Sequence, residues 1–147
     1  MLQVVDKKGM KILAQNIAQR VKGGEVFLLI GDLGSGKTFF VQQIAKFLGA
    51  KRAKSPTFVI LNIHRTRKKI FLAHFDFYRL EKSEIANFEW QEFLFNSKYI
   101  CFIEWGEKIK PFLKNKKFFE IDFKWLPHNK REINLSSNLK KWLKNSI

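Results

Sequence analysis

Gly31 to Thr38 reads GDLGSGKT, which fits the spacing G-x4-G-K-[ST]. A stretch of this kind has a defined chemistry. Backbone N–H groups of a glycine-rich turn converge on an anion, a lysine ammonium reaches phosphate oxygens, and a hydroxyl offers a ligand to Mg²⁺. Gly31, Gly34 and Gly36 give the backbone the freedom to turn its amides inward, and Asp32, Leu33 and Ser35 complete the cradle. Lys37 is the cation and Thr38 the metal-ligand oxygen, with Phe39 in the first turn of the helix that follows. An apolar run, Val26–Ile30, precedes the loop, so the motif has the strand-loop-helix setting that it requires. These residues predict a site for a nucleoside triphosphate.

Such a cradle needs further acids at the ends of neighbouring strands to orient Mg²⁺ or its waters. Glu104 follows the apolar run YICFI and is expected at the sheet edge where ligands of open α/β sheets bind. Asp76 ends its own strand in the same way. Glu104 is therefore read as metal-facing, and either acid can position water for attack. Thr57 follows Ser55-Pro56 and is expected in a loop whose hydroxyl joins the metal shell when a γ-phosphate is present. Trp105 is read either as core or as a wall of the nucleotide site. His74 is read as a structural hydrogen-bonder, since no His/Cys cluster has metal-ligand spacing. Asn129-Lys130-Arg131-Glu132 approaches the guanine-reading pattern N-K-x-D but ends in Glu and follows Leu-Pro-His, so ATP is the expected nucleotide.

The elements that must hold these groups follow from periodicity. Leu2–Val5 reads as a short strand, and Met10, Leu13, Ala14, Ile17, Ala18 and Val21 form the stripe of an amphipathic helix capped by Asp6. Lys22-Gly23-Gly24 stops that helix before the strand ending at Ile30. The helix after the loop ends at Gly49, and Ala50 to Thr57 is a basic loop. Phe58–His64 and Ile70–Asp76 predict an antiparallel hairpin whose charged tip, residues 65–69, is either solvated or a partner contact. A helix is expected from Ser83 through Ile85, Phe88, Trp90, Phe93 and Leu94. Tyr99–Ile103 is a strand, Gly106–Leu113 a short helix broken at Pro111, and Phe118–Trp125 and Arg131–Leu135 two more strands. A last helix starts near Asn138. The pattern predicts an α/β fold, a P-loop NTPase-like mixed sheet with flanking helices, in a single small domain over residues 1–147.

Composition narrows the class. The chain has 147 residues, 46% of them hydrophobic, enough for a real core. No apolar run approaches the roughly 18 residues needed to span a bilayer, and the first residues lack a signal-peptide order, so a cytoplasmic protein is expected. Its single cysteine, Cys101, is read as a buried small hydrophobe. The net charge is +15, with the excess in residues 51–80 (+7) and 111–147 (+6). Of the 28 basic residues 22 are Lys, which fits a lysine-rich surface better than dedicated phosphate recognition.

With these pieces placed, the chain resembles the TsaE (YjeE) family of bacterial P-loop ATPases. Four stretches carry the likeness in family order: GDLGSGKT at 31–38, SPTF at 55–58, HFDFYRL at 74–80 and FIEW at 102–105. The resemblance implies that Lys37 and the loop bind ATP or ADP, that Thr38 and Glu104 serve Mg²⁺, that Thr57 lies in a switch-like loop and that Asp76 matters for hydrolysis. It further implies a weak, partner-activated ATPase, a monomer when alone, that supports TsaD and TsaB in making threonylcarbamoyladenosine in tRNA. tRNA would be met indirectly or through a basic surface. Lys130 and Arg131 are carried over as nucleotide contacts in a C-terminal third that matches loosely. Family members often have Pro after the Glu-Trp pair, where this chain has Gly106. Two other functions fit the residues: a small-molecule kinase, which would need an acceptor pocket and an arginine-bearing lid, and an RNA-binding module built on the basic segment 51–69 and exposed aromatics.

Overall fold

A computed structural model describes residues 2–50 and 60–145. Seven strands form one mixed sheet: β1 Leu2–Val5, β2 Val26–Ile30, β3 Leu61–Arg65, β4 Phe71–Asp76, β5 Tyr99–Glu104, β6 Phe119–Leu126 and β7 Lys130–Leu135. Their order is β1-β7-β6-β2-β5-β4-β3. β4, β5, β2 and β6 run parallel in the centre, and β3, β7 and β1 are antiparallel additions at the two sides. Apolar residues fill both faces of the central strands, as a sheet covered on both sides demands.

Three helices cover one face: α1 Lys7–Arg20, α2 Lys37–Phe47 and α4 Ser137–Lys144. Met10, Ile17, Phe40, Val41, Ile44 and Leu139 meet Phe27, Leu29, Phe102 and Ile121 there. α1 begins at Lys7, earlier than its apolar stripe, because Asp6 accepts a 2.8 Å bond from the Gly9 N–H. Gly9 itself is needed for close approach, since a Cβ there would sit 2.7 Å from Val5 Cβ. α2 ends in a Schellman motif: Ala50 N–H donates to Ala45 O and Gly49 N–H to Lys46 O, with Gly49 at φ +74°.

The opposite face is covered by α3 Lys82–Asn87, the segment after it, and two 3₁₀ turns at Gly106–Lys108 and Lys110–Phe112. Here the expectation of a helix from Ser83 to about Leu94 is corrected. α3 is one short turn and a half, opened by a reciprocal Glu81/Glu84 capping box. Phe88 leaves it extended, and Phe88 and Phe93 both set their rings edge-on to Phe75. Aromatic packing outweighs the helical period. Cys101 is fully buried, and burial pushes its thiol far up, as befits an inert core side chain.

The charged hairpin tip has a structural use. Arg67 donates to Phe47 O at 2.6 Å, and Lys68 Nζ donates to Gln19 O and Val21 O at 2.9 and 3.1 Å. Two basic side chains thus satisfy the open carbonyls at the C-terminal ends of α2 and α1, where the helix dipole favours positive charge.

Candidate functional site

Because β2, β4 and β5 are parallel neighbours, their C-terminal ends come out side by side. The register aligns Leu29 with Glu104 and Asp76 with Glu104, so the loop after Ile30 opens directly beside both acids. Asp32 to Phe39, Asp76, Tyr78, Glu104, Trp105, Arg131, Lys7 and Met10 line a cleft of about 350 Å³.

Local backbone sets the loop. Gly34 and Gly36 have φ of +76° and +110°, left-handed geometry that favours glycine. At Gly31 a Cβ would approach Phe123 O to 2.4 Å. Lys37, buried beneath the loop, donates from Nζ to Gly31 O and, at 3.2 Å, to Asp32 O. Burial pulls its pKa below the usual lysine value, while Glu104, Glu107, Asp76 and Asp32 pull it back up. Its ammonium also sits 4.4 Å from the centre of the Trp105 ring. Trp105 has φ +59°, an uncommon conformation for a bulky residue, and its ring lies 5.1 Å from that of Tyr78.

Thr38 Oγ1 donates to Glu104 Oε1 at 2.7 Å and to Oε2 at 2.9 Å. Oε2 also accepts from His74 Nε2 at 2.5 Å, in a contact almost wholly removed from solvent. The hydroxyl of Thr38 and the carboxylate of Glu104 are adjacent hard oxygen donors, the chemistry Mg²⁺ selects. Among the described residues no cluster of three His, Cys, Asp or Glu could hold a metal ion. Asp76 is held by the Tyr78 N–H at 3.0 Å. Burial raises its carboxyl above the ordinary range; that N–H bond opposes the rise and the charge of Glu104 adds to it.

The structure therefore brings together Asp32 to Phe39, Asp76 and Glu104 on the cleft wall, while Gly31 does not line the cleft and accepts from Lys37 Nζ. Arg131 joins them, donating from Nε to Ser35 O at 2.9 Å, so it buttresses the loop. Lys130 does not line the cleft; it is exposed, and strand alternation sends it to the face opposite Arg131. The Asn129–Glu132 stretch is the turn that follows parallel strand β6 and the start of antiparallel β7. Thr57 and the SPTF stretch lie outside the described residues. Sequence reasoning passed over Tyr78 and the first turn of α1 as cleft lining, and treated His74 apart from the site. The His-x-Asp spacing was the available signal, because alternate residues of one strand share a face.

A family model described as "Threonylcarbamoyl adenosine biosynthesis protein TsaE" matches residues 4–133. The chain belongs to the TsaE family. The TsaE protein of Rickettsia prowazekii is 41% identical over 128 residues, 85% of this chain and 86% of its own. That of Bacillus subtilis is 32% identical over 136 residues, 92% of this chain and 84% of its own. The crystal structure of Bacillus subtilis YdiB superposes with a TM-score of 0.76 at 27% identity, covering 97% of this chain and 90% of that one. TsaE relatives carry the name tRNA threonylcarbamoyladenosine biosynthesis protein. In this TsaE-family chain no described helix is long and apolar enough to cross a membrane.

Proposed function

We propose that this TsaE-family chain is a weak, Mg²⁺-dependent ATPase that supports TsaD and TsaB in threonylcarbamoyladenosine modification of tRNA. The observation that carries the reading is the Thr38–Glu104 contact: the last residue of the glycine-rich loop and the acid ending β5 meet at 2.7 Å. Lys37 and the loop amides would bind the ATP phosphates, and Thr38 and Glu104 would hold Mg²⁺. Bound there, Mg²⁺ would supply charge neutralisation at the phosphates. Asp76, whose raised pKa makes it a better proton acceptor than an ordinary aspartate, is the candidate to orient water. Trp105 and Tyr78 form an aromatic wall of the same cleft. The water-positioning set within the chain is small, so turnover alone should be slow and should rise when partners complete the site.

Calorimetric titration of ATP and ADP with and without Mg²⁺ tests the site. Lys37→Ala should weaken ATP binding by about 10- to 100-fold, the worth of a hydrogen bond to a charged group. Glu104→Ala should abolish the metal dependence. Steady-state hydrolysis with and without TsaD and TsaB tests the partnership, and equal rates at concentrations where a complex forms would overturn it.

A further inference from the structure

We infer that the edge of the sheet opposite the glycine-rich loop is a docking surface for the phosphate backbone of RNA. β2, β4, β5 and β6 start at this edge, so the segments before them lie together: residues 21–25, 66–70, 96–98 and 114–118. The C-terminal end of α4 joins them across a cleft of about 430 Å³ walled by Gly23–Val26, Phe118, Lys117, Lys141, Trp142 and Asn145. These segments carry exposed Lys22, Lys69, Lys98, Lys117, Lys141 and Lys144. Charge runs that are remote in sequence thus become one row. With neighbouring strands about 4.8 Å apart, the row spans on the order of 14 Å from β6 to β4, the reach of several phosphates on one strand.

A merely lysine-rich surface would mix its charges with acids, and these five segments hold a single one. Within the five segments the only acid is Glu25, whose carboxylate accepts the N–H groups of Lys22 and Gly23 at 2.9 and 2.8 Å. Asp32, Asp76, Glu104 and Glu107, the acids that act on Lys37, gather at the other edge. A membrane surface fits poorly. Binding there inserts an apolar face, and none of the exposed large hydrophobic side chains among the described residues lies in these segments. The cleft instead offers the partly exposed rings of Phe118 and Trp142 beside Lys117 and Lys141, the combination that takes a nucleobase and its phosphate. This surface does not depend on the ATP reading; only the choice of tRNA as probe follows from the family.

Fluorescence anisotropy of the full chain with labelled unmodified tRNA, at several salt concentrations, tests it. Wild type should bind with an affinity that falls steeply with salt. Combined Lys98→Glu, Lys117→Glu and Lys141→Glu should weaken binding at least about tenfold and reduce the log-log salt slope by about 2 to 3, at roughly 0.7 to 0.9 per phosphate contact. The same three positions changed to Gln should give a smaller loss, and both variants should titrate ATP like wild type. Lys37→Ala should keep its tRNA affinity. A folded triple-Glu variant that binds tRNA like wild type would overturn the inference. So would loss of tRNA binding in Lys37→Ala, or preference of the wild type for phosphatidylserine vesicles over tRNA.

Discussion

Thr38 and Glu104, 66 residues apart, share a hydroxyl-to-carboxylate bond of 2.7 Å that ties the start of α2 to the end of β5. The same carboxylate accepts from buried His74, so a single acid links three elements of the sheet edge. Its loss should register in stability as well as in metal binding.

Glu104→Ala leaves His74 buried without its acceptor and Thr38 without its own. Leaving a buried hydrogen-bonding group unsatisfied typically costs about 1–3 kcal/mol, so urea unfolding should show a loss of at least about 1 kcal/mol. His74→Ala should cost less in metal dependence than Glu104→Ala, because it deletes the support and keeps the ligand.

Asp76 gives a pH dependence of defined sign. Its folded pKa is raised above 3.8, so the fold favours its protonated form: that contribution to stability is complete below the ordinary value and is lost as pH climbs through the raised one. At neutral pH the half-buried carboxylate is a net cost. Asp76→Asn retains an oxygen for the Tyr78 N–H and should melt at a higher temperature than wild type at pH 7. The advantage should vanish below pH 3.8, and hydrolysis should fall throughout; thermal melts from pH 3 to 8 check the sign.

Gly106 opens the 3₁₀ turn after Trp105 and packs directly on β2. A Cβ at this position would lie 2.6 Å from Leu28 Cβ and 2.9 Å from Leu28 Cα. Gly106→Ala should destabilise by about 1–3 kcal/mol through overpacking, read as a lowered urea midpoint with an unchanged slope.

At the hairpin tip, Arg67→Ala and Lys68→Ala should each cost about 1 kcal/mol, since each strips partners from helix-terminal carbonyls. The changes act on different helices, α2 and α1, so a double variant should lose close to the sum in chemical denaturation.

Much of the sheet was legible because its signals are local. Val26–Ile30 and Tyr99–Ile103 are continuous apolar runs bounded by polar turns, and both are strands within a residue of their expected limits. The glycine-rich loop and the acid at 104 were readable because phosphate chemistry restricts residue type as well as spacing. What stayed hidden is tertiary. Nothing local says that Phe88 and Phe93 abandon a helix to reach Phe75, that Arg67 and Lys68 turn back onto helix ends, or that Arg131 holds the Ser35 carbonyl from 96 residues away. Lys130 was carried over together with Arg131 by the resemblance, whereas a strand sends neighbours to opposite sides.

One ammonium fixes the mechanics of the site. Lys108 Nζ donates to the carbonyls of Phe77, Tyr78 and Leu80 at 3.0, 2.7 and 3.1 Å, and its own N–H donates to Trp105 O. The chain just beyond Asp76 is thereby laced to the chain just beyond Glu104. The two acids are mounted on a common chassis, so under the proposed reading adjustment to different phosphate lengths would fall to the glycine side and to Lys37.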